Sequence, residues 1–338
     1  MRIASHLKRR KRISTDTKAI KMKKFRFAIL GAGNIAEKFA DAVSRIDDCE
    51  VAAIGSRSAE RAETFAKKFN IEASFGNYEE MLDTIHPDAA YIATTHNTHA
   101  KLIKLCIGKN IPVICEKTMC MNAKEAEEVC SLAKEKKTFL MEAMWSRFLP
   151  AVKKAKEWIA EGKIGKPVMA QLQIGNRYQF AADNRFFSKE LGGGAALDLG
   201  VYGYQITTFL VGEDVKDVNC QARYSYTGVD TTDHISMRAG DCLIDITATI
   251  ETKIDENLIV YGENGKIILP HSQWADECIY ESTDGIKVVF SDNETKNGFV
   301  GEIQETIKCV QEGKLQSDIV PHSLTINCAK VLDMITQK

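Results

Sequence analysis

Apolar residues fall along the first half of the chain in short blocks separated by helical rhythm, and the first block is the sharpest. Phe25-Arg26-Phe27-Ala28-Ile29-Leu30 runs straight into Gly31-Ala32-Gly33, and a helical pattern begins at once with Ile35, Ala36 and Phe39. Strand, tight turn and helix in that order predict a backbone shaped for a pyrophosphate. The same alternation continues. Strands are predicted at Glu50–Gly55, Ile71–Phe75, Asp88–Ala93, Ile111–Glu116 and Thr138–Ala143. Between them lie helices from the glycine turn to about Ile46, from Ser58 to Phe69, after Asn77, over Thr98–Gly108 and over Ala123–Lys136. Near-continuous apolar strands alternating with helices imply a parallel sheet covered on both faces. Residues 22–145 therefore read as a doubly wound Rossmann domain.

The pattern changes in the second half. Pro150 and Gly162 bracket a helix over Ala151–Glu161, Pro167–Arg177 reads as a strand, and Tyr178–Glu190 is an aromatic and basic loop. A glycine run, Leu191-Gly192-Gly193-Gly194, leads into a helix carrying Asp198 and Tyr202. Strands dominate from Lys216 to Phe290, and helices over Phe299–Glu312 and Pro321–Thr336 close the chain. Period-two patterning at Leu243, Asp245, Thr247 and Thr249 implies one solvated or interface-facing side. Residues 146–338 thus form a second α/β domain with a large mixed or antiparallel sheet, whose open face is the expected homodimer contact.

Composition narrows the partners. A net charge of −1 gives no field to steer nucleic acid or an anionic membrane, and no apolar run reaches the length of a membrane span. A small molecule is the expected partner. The ten cysteines are scattered with no CxxC, several within strand or helix patterns, so they read as small buried hydrophobes in a reducing cytoplasm rather than a disulfide frame or a metal site. Residues 1–21 stand apart, with eight lysines and arginines against Asp16 and no apolar segment of the secretory kind. They read as a basic extension, either disordered or preceding a true start at Met22, and the second reading is favoured.

Candidate chemistry clusters at the strand ends. Gly31 permits the turn, Gly33 removes a side chain that would block backbone approach to phosphate, and Asn34 and Ile35 open the helix whose free N–H groups face the anion. An NAD enzyme usually carries Asp or Glu at the end of strand two. Here Ser56 and Arg57 stand there instead, groups that would bind a 2′-phosphate by charge-assisted hydrogen bonds, so NADP(H) is the expected cofactor. The ends of strands four and five bring Thr94, His96, His99, Glu116 and Lys117 toward the same crevice.

GAGNIA, the Glu116-Lys117-Thr118 segment and MEAMWSRFLP together resemble the glucose–fructose oxidoreductase/inositol dehydrogenase (Gfo/Idh/MocA) family. His96-x-x-His99, LGGGAALDLGVY and TGVD resemble its branch of dimeric dihydrodiol dehydrogenases and NADP-dependent D-xylose dehydrogenases. The similarity runs from Lys23 to Lys338. It implies that Lys117 sits beside the nicotinamide and that Tyr202, in Asp198-Leu199-Gly200-Val201-Tyr202, is the proton donor or acceptor. It also implies that Trp145 and Arg147 border the nicotinamide and substrate pocket. Specificity is expected from the pocket shape around Trp145, Arg147, Arg185 and His234. Thr118 and Asn97 depart from the prolines common at these positions. A cis bond before Thr costs roughly 3 kcal/mol without proline's help, so the sequence leaves the Lys117–Thr118 bond open between cis and trans, and a trans bond would place Lys117 differently. The reaction expected is hydride transfer between nicotinamide and a secondary alcohol or hemiacetal carbon of a sugar or cyclic diol. Asp198 would orient Lys117 or the substrate, and Lys117 and an oxidised nicotinamide would lower the Tyr202 pKa. The alternative is a cofactor-sensing regulator of the same fold.

Overall fold

The computed structural model describes residues 24–181 and 184–337, so the basic stretch 1–21 lies outside the described residues. The first half alternates β1 (Phe25–Leu30), α1 (Asn34–Val43), β2 (Cys49–Gly55), α2 (Ala59–Phe69), β3 (Ala73–Phe75), α3 (Tyr78–Ile85), β4 (Ala89–Ile92), α4 (His96–Gly108), β5 (Val113–Glu116), α5 (Ala123–Glu135) and β6 (Leu140–Ala143). The strands form one six-stranded sheet in the order β3-β2-β1-β4-β5-β6. Every pairing in it is parallel. β4, β5 and β6 are buried at every position, as a sheet covered on both faces requires.

Local chemistry sets the helix starts. Ser58 Oγ accepts from the Arg61 amide at 3.3 Å, Asn77 from Glu80 at 3.1 Å and Asn122 from Glu125 at 2.9 Å. Helix α4 starts two residues earlier than the pattern predicts, because Thr95 rather than Asn97 takes the extended cap conformation. His96 consequently joins His99 on the helix instead of lying on the loop before it.

The second half adds α6 (Pro150–Ala160), β7 (Pro167–Gly175), α7 (Val201–Val211), β8 (Val215–Tyr224), β9 (Asp230–Ala239), β10 (Cys242–Thr249), β11 (Asn257–Gly262), β12 (Gly265–Pro270), β13 (Glu277–Ser282) and β14 (Lys287–Ser291), then α8 (Val300–Gln311) and α9 (His322–Thr336). The eight-stranded sheet runs β14-β13-β12-β11-β7-β10-β9-β8. β7 and β10 pair in parallel among antiparallel neighbours, so the sheet is mixed. Helix α7 lies buried against it, with the Gly203 backbone close under Ile246 and Leu172.

The last two helices return to the first domain. Asn297, just before α8, donates to Lys38 O and Asp41 of α1, both at 2.8 Å. Asp333 of α9 accepts the Ala123 amide at the start of α5 at 3.0 Å. Glu142 of β6, 2% exposed, is the central tie. Its carboxylate accepts from the Met119 amide at 2.9 Å, from Gln205 of α7 at 2.8 Å and from Thr325 of α9 at 2.8 Å. Four separate segments therefore meet at one carboxylate.

Candidate active site

The glycine turn has the shape a pyrophosphate needs. Gly31 adopts φ +112°, and a Cβ there would lie 2.5 Å from Ala93 O at the end of β4. Above Gly33 nothing stands within 4 Å of where a Cβ would be, and α1 begins there with no side-chain cap. Its first N–H groups thus open onto free space at the positive end of the helix, an arrangement that fits a dinucleotide's phosphates. Asn34 is exposed and Ile35 half-buried at that opening, and Thr94 packs its methyl group beside Gly31.

At the end of β2, Ser56 is buried and accepts from the Ser58 amide at 3.3 Å, while Arg57 is exposed. Arg61, which sequence reasoning missed, crosses from α2 and donates to Ala32 O at 3.1 Å, setting its guanidinium over the glycine turn. Its signal was faint: a second arginine one helical turn after Arg57.

The Lys117–Thr118 peptide bond, which the sequence leaves open, is cis. The surroundings specify Thr118 closely without a proline. Its hydroxyl donates to Leu197 O at 2.7 Å, and its carbonyl meets His99 Nδ1 at 3.0 Å. His99 Nε2 lies 3.2 Å from Thr94 O, so this fully buried ring joins the two strand ends and has no edge left for a cofactor. His96 Nδ1 pairs with Gly192 O at 2.8 Å. Burial pushes His96 down to about 3 and His99 to about 4, so both rings are neutral at pH 7.

Lys117 reaches across to the second domain. Its Nζ donates to Asp198 O at 2.6 Å, lies 3.4 Å from Asp198 Oδ1 and stands 4.6 Å above the Tyr202 ring centroid. Asp198 and Tyr202 belong to one continuous helical segment, since a π-helical turn, Ala196–Gly200, precedes α7 directly. Burial pulls the Lys117 pKa down, but Asp198, Tyr202 and Glu116 together more than reverse it and the ammonium persists. Burial likewise pushes Asp198 up, and Lys117 and Arg185 more than reverse it. For Tyr202 the balance differs from expectation. Lys117 does pull its pKa down, yet burial wins and leaves it above the ordinary phenol value.

Around this clasp Trp145 donates its indole N–H to the Tyr202 hydroxyl at 3.0 Å and stacks on Phe299 at 5.6 Å. Gln273, from the turn between β12 and β13, also reaches the Tyr202 hydroxyl. Arg185 donates to Asp198 Oδ1 at 3.3 Å and lies over Phe186, which stacks on Tyr178 at 3.7 Å. Phe299 and Gln273 carried no local signal in the sequence, because long connections bring them in.

Two expected pocket residues are elsewhere. Arg147 is fully buried away from the clasp, where it donates to Gln205 O at 2.9 Å and Ile319 O at 2.7 Å and pairs with Glu213 at 3.0 Å. The 3₁₀ turn Trp145–Phe148 sends neighbouring side chains to different sides, so Trp145 faces Tyr202 and Arg147 the domain core. His234 lies half-exposed beside Asp245 on the outer face of the mixed sheet, since strand alternation turns Asp233 and Ile235 inward. Glu116 is present at the strand end but bonds Tyr91 beneath the crevice.

Among the described residues no helix is long and apolar enough to cross a membrane, and no group of His, Cys, Asp or Glu could hold a metal ion. Residues 25–144 match the model of an oxidoreductase family with an NAD-binding Rossmann fold, and residues 152–268 match the GFO/IDH/MocA C-terminal domain. The chain is similar to trans-1,2-dihydrobenzene-1,2-diol dehydrogenase of Mus musculus, 30% identical over 318 residues covering 91% of this chain and 95% of the relative. The Homo sapiens protein of that name is 28% identical over 92% and 95% of the two chains. Among solved structures, aldose-aldose oxidoreductase from Caulobacter crescentus complexed with glycerol superposes with a TM-score of 0.85 at 18% identity, covering 93% of this chain and 97% of its own. A 3-ketoreductase from Actinomadura kijaniata in complex with NADP and TDP-benzene gives 0.83 at 21%, over 93% and 98%. Those two likenesses establish the shared fold. With family models spanning most of both halves, and a relative matched almost end to end, the chain belongs to the Gfo/Idh/MocA family of oxidoreductases.

Proposed function

We propose that the protein is an NADP(H)-dependent dehydrogenase acting on a secondary alcohol or hemiacetal carbon of a sugar or cyclic diol. The observation that carries this reading is the clasp of Lys117, Asp198 and Tyr202, which sets a permanently charged ammonium against a buried phenol. NADP(H) would supply or accept the hydride when bound. The Gly31–Ile35 turn would hold its pyrophosphate, and Ser56, Arg57 and Arg61 would favour the 2′-phosphate, since no carboxylate stands at the end of β2 to repel it. Tyr202 is the proton carrier. Because burial keeps its proton on, it acts as the acid when a carbonyl is reduced, and it must release that proton before it can serve as the base for oxidation. Lys117 stabilises the resulting phenolate, and Asp198 holds Lys117 in place by its carbonyl and its carboxylate. Trp145 and Gln273 fix the phenol's direction. The diol dehydrogenase relative supports the substrate class.

The ten cysteines, none of them in a disulfide among the described residues, suit a reducing compartment such as the cytoplasm. The outer face of the mixed sheet, which includes Leu243 at 57% exposure, is the surface we assign to a homodimer. The direct test follows absorbance at 340 nm with NADPH or NADP⁺ against aldoses, cyclic diols and inositols, NADH and NAD⁺ serving as the cofactor comparison. Turnover with the phosphorylated cofactor on any of these is the expected result. Tight NADPH binding with no turnover on the whole panel would make the protein a cofactor sensor instead.

A further inference from the structure

One residue before Lys117, a group of buried acids lies beneath the crevice. Glu116 is 5% exposed, and its carboxyl is bonded to the Tyr91 hydroxyl. Glu302, from the first turn of α8, is 0% exposed, and neither of its carboxyl oxygens has a hydrogen-bond partner among the described residues. Phe39 of α1 stacks on Tyr91, so the helix that opens at the glycine turn closes one side of the group. Phe299, one turn before Glu302, stacks on Trp145, whose indole holds Tyr202. The acids thus lie between the glycine turn and the Lys117–Tyr202 clasp, at the carboxyl end of the sheet where ligands of such folds bind.

We propose that Glu116 and Glu302 form a single-charge counter-ion for the nicotinamide ring: Glu302 keeps its proton throughout, and Glu116 releases its proton when the positively charged oxidised ring is bound and recovers it when the neutral reduced ring is bound. The proton exchanges with solvent, and neither carboxyl changes oxidation state. The proposal rests on the NADP(H) reading of the crevice.

Burial pushes Glu116 up to about 7, against the pull of Tyr91 and Lys117, while burial and the Glu116 charge hold Glu302 far above the carboxylate range. The charged and titratable groups facing the pair are Tyr91 from β4, Cys115 of β5, Lys117 beyond β5, Glu142 from β6 and Tyr202 from α7, and α1 contributes the uncharged Phe39. Raising the pH through neutrality leaves a negative charge on Glu116. That charge tightens binding of the oxidised cofactor relative to the reduced one. The ratio of the two dissociation constants, oxidised over reduced, must then fall as pH rises, by at most about tenfold per pH unit for one proton. The 2′-phosphate titrates in both cofactor forms and cancels in the ratio.

The experiment measures NADP⁺ and NADPH dissociation constants on the full chain without substrate between about pH 5.5 and 8.5, by fluorescence. Calorimetry in buffers of different ionisation enthalpy counts the protons taken up. The expected result is a ratio that falls about tenfold across that range around neutrality, with fractional proton uptake on NADPH binding relative to NADP⁺. Glu116→Gln flattens the ratio. Tyr91→Phe removes the donor to Glu116 and moves the midpoint to higher pH. Glu302→Gln, which replaces one uncharged group by another, leaves the midpoint in place. A wild-type ratio independent of pH overturns the proposal, and a displaced Glu302→Gln midpoint overturns the fixed proton on Glu302. Failure of the wild type to bind either cofactor form would overturn the NADP(H) reading itself.

Discussion

Two residues two positions apart in one motif show how the candidate site divides its labour. Trp145 turns toward the Tyr202 hydroxyl, whereas Arg147 turns inward to Gln205 and away from the Lys117–Tyr202 clasp. Tyr202→Phe should lower kcat by about 100-fold or more in either direction while leaving NADPH affinity within about twofold, as stopped-flow and fluorescence titration would show. Because burial raises the Tyr202 pKa, oxidation in the wild type should accelerate as pH rises above neutrality, a slope the Phe variant lacks. Arg147→Leu should behave oppositely. It strands the carbonyls of Gln205 and Ile319, costing about 2–4 kcal/mol in a urea titration, with NADPH affinity of the folded fraction unchanged. The glycine turn was legible because everything that defines it is local: strand, Gly31, Gly33 and helix lie within one stretch. Lys117 stood out by its place at the end of the fifth strand, and Tyr202 only through the resemblance of its motif to the family's. The direction of Arg147 was not, because the choice of side in a short 3₁₀ turn is made by Gln205 and Ile319, both far along the chain. His234 illustrates the same limit in a strand, where a single step of register separates the pocket side from the solvent side.

Elements are joined at the site by single buried polar groups, and each tie has its own pH signature. Glu142 fastens the loop after Lys117 to α7 and α9. Glu142→Gln leaves the packing intact but cannot accept from all three donors, so it should cost about 1–3 kcal/mol and lower kcat through the displaced Lys117 loop. Thermal melts and initial rates on one preparation would separate the two effects. The acid sits in the apolar run Phe139-Leu140-Met141-Glu142-Ala143, and nothing local names its partners, Gln205 and Thr325, which come from 63 and 183 residues away. His99 supplies the second tie. Its folded pKa of about 4 is depressed below the unfolded value near ~6.5, so the unfolded chain binds the extra proton between those values. Stability from this group is complete above the unfolded pKa and is lost as pH falls, by about 1.4 kcal/mol per pH unit. The buried acid Glu116 works in the opposite sense over the same interval, so the clean measurement is a difference. The stability of wild type minus that of His99→Gln, taken from urea midpoints, should decline from pH 6.5 to 4 with that slope.

At the scale of the whole molecule the mixed sheet shields α7 on one face and presents the other to the outside. Leu243, at 57% exposure on β10, lies on that outer face together with His234 and Asp245. Leu243→Glu should convert a dimer into a monomer in sedimentation velocity without altering the far-ultraviolet circular dichroism, and an unchanged sedimentation coefficient would remove this face from consideration. The division of the chain into two sheets was readable from the change in periodicity near residue 146. The return of α8 and α9 to the first domain was not, since nothing in either helix names its partner. That return has a consequence for how the protein is made. The Rossmann sheet leaves the ribosome early, but Glu142 receives its Thr325 bond, and the α5 amide its Asp333 bond, only when the final helix has emerged. During synthesis the nucleotide-binding half is therefore unfinished on one side until α9, 183 residues after Glu142, emerges and latches the first domain shut.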